Sequence, residues 1–301
     1  MTNKGADPGF GFGEEKLRDT PTVYRPGLFS GQTVVVTGAG SGLGKAIATL
    51  FARLGATLAI CGRNEEKLAA SADFLRGFGG EVTALPLNIR DQEAVEAFVA
   101  EIWDRHGGID VLVNNAGGQF PQAALDFKPK GWLAVVDTNL NGTWWVMQAV
   151  ARRMVEAGRP GAITSIVADI WRGMPGIAHT CAARAGVIYL SKSVAVEWAP
   201  HGVRVNCVAP GCCESTGFSN YPPEGTATYW ESNPFLRPGD EWDIAEAVVY
   251  LSAPSGKFIT GEVVTVDGGQ QMWGDPWPTG RPEYFRLKEG GPALPGREGE
   301  G

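Results

Sequence analysis

Residues 37–44 read Thr-Gly-Ala-Gly-Ser-Gly-Leu-Gly. They follow a continuous β-branched run, Thr33-Val34-Val35-Val36, and precede a stretch with helical spacing at Ile47, Leu50, Phe51 and Leu54. Glycines at such a junction let the backbone approach a diphosphate whose charge rests on the helix N-terminus. In this strand-to-helix setting the pattern reads as the loop of a dinucleotide site. The end of the next strand reads Cys61-Gly62-Arg63, and the first acid after it is Glu65. An Asp or Glu at that place would hold a ribose 2′-hydroxyl. Arg63 instead presents a fork suited to a 2′-phosphate, which predicts NADP(H) as the cofactor.

Thr180 and Arg184 form a second candidate group. Their i, i+4 spacing puts them on one face of a helical stretch, residues 179–199. A threonine hydroxyl donates a hydrogen bond but holds no anion near neutral pH, and arginine keeps its charge throughout that range. The pair offers polarity and positive charge without a proton shuttle. His179 points roughly 100° away around the helix and reads as core or surface. Tyr189 falls on another face and reads as packing.

These groups need a scaffold, and the rest of the chain supplies one. Strand signals at residues 32–37, 57–61, 82–87, 110–114, 162–167, 203–208 and 263–266 alternate with helical stretches. The helical stretches cover residues 45–54, 65–77, 92–105, 131–157, 179–199 and 242–252. Fully apolar strands in repeated strand-helix units predict a single doubly wound (Rossmann) α/β domain with a parallel sheet of about seven strands. The expected division is an N-terminal arm at 1–27, the domain at 28–273 and a Pro/Gly-rich tail at 274–301. Trp277, Tyr284 and Phe285 are the residues that would pin the tail.

Bulk properties exclude several alternatives. The 301-residue chain is 44% hydrophobic and carries a formal net charge of −7, so neither nucleic acid nor an anionic membrane is an expected partner. No apolar stretch approaches a membrane span, and residues 1–12 have no signal-peptide core. The five cysteines, at 61, 181, 207, 212 and 213, show no CxxC spacing. They read as reduced thiols of a cytoplasmic protein, with no metal site.

Thr37 to Gly44, Asn114-Asn115-Ala116-Gly117, Asn139 and Pro210-Gly211 together resemble the short-chain dehydrogenase/reductase superfamily, over residues 28–270 or so. More narrowly, Asn88-Ile89-Arg90, Gly117-Gly118-Gln119-Phe120, Ala182-Ala183-Arg184-Ala185-Gly186-Val187 and Phe258-Ile259-Thr260-Gly261 resemble the peroxisomal trans-2-enoyl-CoA reductases. Their bacterial relatives include proteins assigned to acyclic terpene breakdown, and dienoyl-CoA reductases are more distant cousins. The resemblance implies that Thr37, Gly38, Ser41, Gly42, Leu43 and Gly44 wrap the pyrophosphate and adenosine ribose. Asn88 would meet the adenine, Asn115, Ala116 and Gly117 would line the ribose region, and Ile89, Pro210 and Gly211 would also belong to the cofactor site. It also implies a homotetramer, with the helices carrying Trp144 and Trp198 at interfaces.

The superfamily's Asn-Ser-Tyr-Lys tetrad is altered here. Asn139 matches its asparagine, the serine is missing near Val167 or Ala168, the tyrosine falls on Thr180 and the lysine on Arg184. Dienoyl reductases place a tyrosine eleven residues before the position of Thr180, and here that residue is Asp169, flanked by Trp171 and Arg172. Asp169 reads first as a structural residue, paired with an arginine or capping a turn, and second as a buried acid or base of raised pKa.

Alcohol oxidation needs a base for the hydroxyl proton. Reduction of an alkene conjugated to a thioester needs mainly preorganised donors for an enolate oxygen. The expected activity is therefore NADP(H)-dependent reduction of an enoyl thioester. Thr180 and Asn139 would be the donors and Arg184 would clasp the nicotinamide ribose. A terpenoid-type alcohol or aldehyde dehydrogenase and a redox-dead nucleotide-binding scaffold are the alternatives. Tyr221, Tyr229, Trp230 and Phe235, with Pro222-Pro223, read either as an apolar substrate lid or as a plain packed loop.

Overall fold

The computed structural model describes residues 10–220 and 229–273. Seven parallel strands form one sheet in the order β3-β2-β1-β4-β5-β6-β7. They are β1 Thr33–Thr37, β2 Thr57–Gly62, β3 Val82–Pro86, β4 Val111–Asn114, β5 Gly161–Ile166, β6 Val203–Pro210 and β7 Val263–Val266. The fold is the single doubly wound domain that the strand-helix alternation predicts. All five residues of β1 are buried, as a central parallel strand covered on both faces requires.

Helices α2 Gly42–Arg53 and α3 Glu65–Arg76 follow the first two strands, and α8 Glu241–Ser252 precedes the last. Residues of α2, α3 and α8 share one core layer with Val34, Val36, Leu58 and Ile60. The opposite layer joins α4 Gln92–His106, α6 Thr143–Glu156 and α7 Ala178–Trp198 to Val35, Leu112 and Ile163. Caps fix several helix starts. Asn64 accepts from the N–H of Lys67 and Asp91 from that of Ala94, while Asp240 and Asp243 form a reciprocal box on α8.

The expected long helix at 131–157 is two helices. α5 Pro129–Val136 and α6 are joined by a π-helical stretch, Asp137–Gly142. A wide turn inserts an extra residue into the ladder and is common at functional sites. Here it carries Asn139, and Gly142 sits against Ile89 so closely that a Cβ would meet its side chain.

The chain before β1 packs on the domain. In α1 Glu14–Asp19, Leu17 is fully buried, and Arg53 donates to the carbonyls of Leu17 and Thr20 at 3.1 and 2.7 Å. Trp242 Nε1 donates to Pro21 O and Tyr24 Oη to Glu246 O, at 3.0 and 2.9 Å. Trp144 and Trp198 stack on each other, with centroids 6.4 Å apart, and pack against the core. No helix among the described residues is long and apolar enough to cross a membrane. Residues 221–223 and the tail aromatics Trp277, Tyr284 and Phe285 lie outside the described residues.

Candidate active site

The strand order reverses between β1 and β4, and the crevice beyond the carboxyl ends of the strands is where a doubly wound sheet binds ligands. Residues from that end of all seven strands line three cavities: Gly38, Arg63, Asn88, Gly117, Asp169, Cys212 and Asp267, in strand order.

The first cavity, about 270 Å³, is lined by Gly38, Gly40, Ser41, Arg63, Asn88, Ile89, Ala116 and Gly117, as the sequence predicts. Asn64, Lys67 and Thr138 join them without a sequence signal. The glycine loop is built for close approach. Gly38 and Gly42 have φ of +69° and +56°, and a Cβ on Gly44 would meet Asn115 Nδ2 and Gly38 O. The cradle fits a dinucleotide that contacts backbone.

Thr37 has a different job from the one the resemblance implies. It is buried inside the sheet, where Oγ1 accepts from the N–H groups of Asn115 and Ala116 at 3.0 and 2.9 Å. The first loop position is thus a brace between β1 and β4, because an inward strand-end residue cannot also face the ligand. Asn115 completes the brace by donating to Thr37 O and Gly38 O. Asn88 Oδ1 accepts from Arg90 N at 3.3 Å, closing the turn after β3.

A second cavity, about 290 Å³, shares Gly117 with the first and extends past Leu43, Asn115, Asp169, Met174, Arg184, Pro210, Gly211 and Gln270. Arg184 is buried, and Nη1 donates to Ile166 O at 2.9 Å. Burial lowers its pKa to about 10, so the guanidinium is charged at neutral pH. A Cβ on Gly117 would collide with Arg184 Nη2 and approach Asn139 Oδ1 to 3.0 Å. The loop after β4 is glycine here because the arginine needs that space.

The two expected donors, Asn139 and Thr180, are both fully buried. Asn139 is fully buried, and its amide is spent on one partner: Oδ1 accepts from Gly118 N and Nδ2 donates to Gly118 O, both at 3.0 Å. It anchors the Gly117-Gly118 loop and faces no cavity. Thr180 is also fully buried and lines none of these three cavities, and its Oγ1 has no hydrogen-bond partner among the described residues. The first turn of α7 is covered. Phe120 and Phe127 pack on His179, and Gln122 N donates to Gly176 O at 2.7 Å. One turn further on, the longer Arg184 side chain does reach the cavity. His179 is core, as expected, and burial lowers its pKa.

Asp169 is the titratable carboxyl that lines this cavity. Its pKa is raised to about 6, first by burial, then by the charge of Asp267, with Arg172 opposing. Its carboxyl group hydrogen-bonds to that of Asp267 and accepts from the backbone N–H of Trp171, with Arg172 near enough to lower its pKa. Two carboxyl groups bond only if one holds a proton. Asp267 is committed as acceptor, Oδ1 from Gly269 N at 2.9 Å and Oδ2 from Gln271 N at 2.8 Å, at the start of α9 Gln270–Trp273. Asp169 is therefore the member that holds the proton. Asp267 escaped the sequence reading; its signal was an acid at the carboxyl end of the last strand followed by Gly268-Gly269. Among the described residues no group of three or more His, Cys, Asp or Glu is placed to hold a metal ion.

Comparison with known proteins gives this geometry its family. Residues 38–271 match the family described as Enoyl-(Acyl carrier protein) reductase. The chain is 35% identical over 252 residues to a probable 2,4-dienoyl-CoA reductase of Bacillus subtilis, covering 82% of this chain and 98% of that protein. It is 38% identical over 244 residues to the 3-oxoacyl-[acyl-carrier-protein] reductase FabG of Vibrio harveyi, covering 80% and 98%. Among solved structures it superposes on the citronellol catabolism dehydrogenase AtuB of Pseudomonas aeruginosa with a TM-score of 0.75 and 39% identity, over 83% and 99% of the two chains. With a parallel seven-stranded sheet, a glycine cradle at its switch point and matches over most of its length, the chain belongs to the short-chain dehydrogenase/reductase family of oxidoreductases that use a nicotinamide cofactor.

Proposed function

We propose that the protein is an NADP(H)-dependent reductase of a carbon–carbon double bond conjugated to an acyl thioester, with Asp169 as its proton donor. The observation that carries this reading is the Asp169–Asp267 carboxyl pair at the wall of a cavity that also holds the Arg184 guanidinium. The dienoyl-CoA reductase name of the Bacillus subtilis relative supports the substrate class.

A bound nicotinamide cofactor supplies a hydride. The residues of this chain do the rest. The glycine cradle and Arg63, with Lys67 beside it, hold the phosphates. Arg184, fixed by Ile166 O, orients the nicotinamide ribose and places positive charge where a thioester enolate forms. Asp169 gives its proton to the α-carbon, and Asp267 keeps Asp169 oriented and protonated up to a higher pH than an exposed aspartate. Thr180 takes no direct part. The same reading includes a homotetramer, whose mass in solution light scattering measures.

Two measurements test the proposal. The first is consumption of NADPH with enoyl-CoAs, dienoyl-CoAs and ketones, together with formation of NADPH from NADP+ with terpenoid alcohols. Turnover of terpenoid alcohols alone would favour the dehydrogenase reading, which the likeness to AtuB supports. Turnover of nothing would favour a redox-dead nucleotide binder. The second is the ratio of the dissociation constant for NADH to that for NADPH. It should exceed about tenfold and fall toward unity in Arg63→Ala, since a charge-assisted fork contributes roughly 1.5–3 kcal/mol.

A further inference from the structure

The carboxyl pair stands in a partition between two cavities. Asp169 lines the front cavity proposed for substrate. Asp267 lines a rear cavity of about 310 Å³, bordered by Asn233, Phe235, Arg237, Asp243 and Thr265. Cys212 and Cys213 line both. Burial pushes the Cys212 thiol up to about 11, so it stays protonated and neutral. The rim of the rear cavity is polar and open: Arg237 and Asp243 pair at 3.0 Å with Arg237 half exposed, and Phe235 is 70% exposed.

Reducing a double bond uses one proton per turnover, and Asp169 can give only the one it holds. While substrate and cofactor fill the front cavity, water cannot reach Asp169 from that side. Asp267 keeps access to the rear. Each of its oxygens accepts one backbone N–H, and once Asp169 has given up its proton each has a second lone pair free, so Asp267 can accept a proton from water without leaving its position.

We propose that the rear cavity is the proton inlet: water there passes a proton to Asp267, and the carboxyl–carboxyl hydrogen bond passes one on to Asp169. The inference rests on the proposed reduction of an enoyl thioester. In that reaction a hydride forms the new C–H bond at the β-carbon, and the π electrons move toward the thioester oxygen. The enolate then takes the Asp169 proton at the α-carbon, leaving Asp169 as a carboxylate. A proton from rear water then binds the Asp267 carboxylate and moves across the carboxyl–carboxyl hydrogen bond to Asp169, which leaves Asp267 a carboxylate again. The net change is one hydride from the reduced cofactor and one proton from solvent added across the double bond.

The test fills the inlet without touching the front. Thr265→Phe places a ring in the rear cavity beside Asp267, and Thr265→Ile is the smaller filler if the first variant does not fold, as judged by thermal melting. The first turnover of NADPH, measured by stopped flow with an enoyl-CoA below pH 6, should run at the parent rate because Asp169 is already protonated there. Later turnovers should slow about tenfold, giving a burst of one equivalent, with KM for both ligands unchanged. Imidazolium or another small acid that fits the residual space should restore part of the steady-state rate. A folded filled variant with no burst and the parent steady-state rate overturns the inlet. Asp169→Asn separates the two ideas. If it turns over normally, the proton-donor reading fails; if it is dead while the filled variants behave like the parent, only the inlet fails.

Discussion

A buried acid bonded to a second carboxylate titrates with its partner, and the midpoint of Asp169, about 6, dictates a pH profile. Burial raises its pKa first, so the protonated form is present below that midpoint and is lost as pH rises through it. The groups facing it are Asp267, which raises the midpoint, and Arg172, which lowers it. If Asp169 donates the proton, kcat/KM for an enoyl thioester falls about tenfold per pH unit above that midpoint. Asp169→Asn should lower kcat by roughly 10²–10⁴ and abolish that limb. Thr180 makes the opposite case. Its buried hydroxyl has no partner among the described residues, and an unsatisfied polar group costs about 1–3 kcal/mol. Thr180→Val keeps the volume and removes that cost. It should raise the unfolding free energy by about 1 kcal/mol in urea titration and leave kcat at the parent value. A large loss of kcat would return Thr180 to the catalytic group.

The elements that hold these residues are the turn after β4, the π-helical stretch and the middle of α7. Asn139, on the π turn, ties itself to Gly118 through both ends of its amide, and Arg184, on α7, fills the space above Gly117. Gly117→Ala forces the new methyl against both side chains. Overpacking of this kind costs about 1–3 kcal/mol, and the cofactor cradle is where it is felt. The variant should bind NADPH at least about tenfold more weakly by fluorescence titration, with a far-UV spectrum unchanged. The corresponding change at Gly118, where a Cβ meets nothing, should be tolerated.

Over the whole molecule, the segment before β1 is tied to the far end of the chain through Glu241. This carboxyl group, at the start of α8, accepts from Phe12 N at 2.9 Å and from the backbone of Thr216. Burial raises its pKa to about 7, with Asp240 and Glu214 adding to the effect. A raised acid pKa means the folded state holds the proton more tightly than the unfolded one. The resulting stability is complete below the unfolded value near 4.5 and is lost as pH rises through about 7. Tm of the parent should therefore fall, relative to Glu241→Gln, between pH 5 and pH 8, as differential scanning calorimetry measures. An unchanged difference across that range would mean that Glu241 titrates as an ordinary surface acid.

Periodicity alone was enough for the scaffold. β-branched runs and helical spacing marked seven strands, because a parallel sheet covered on both faces demands continuous apolar strands. The strand-to-helix glycines located the cradle, since close backbone approach excludes side chains whatever surrounds them. Arg63 and Arg184 were legible for a related reason, as their position in the local pattern already directs them to the sheet's carboxyl end. The rest depended on tertiary structure. Spacing along α7 put Thr180 and Arg184 on one face, but only the loops packed over His179 determine that one side chain is sealed and the other reaches the cavity. The break in the long helix ends at Gly142, which sits against Ile89, a contact 53 positions apart that no local period records. The pairing of Asp169 with Asp267 joins the ends of β5 and β7, which are not neighbours in the sheet. A sequence shows two ordinary aspartates there. Burial and mutual proximity, which exist only in the folded chain, raise the pKa of one of them to about 6.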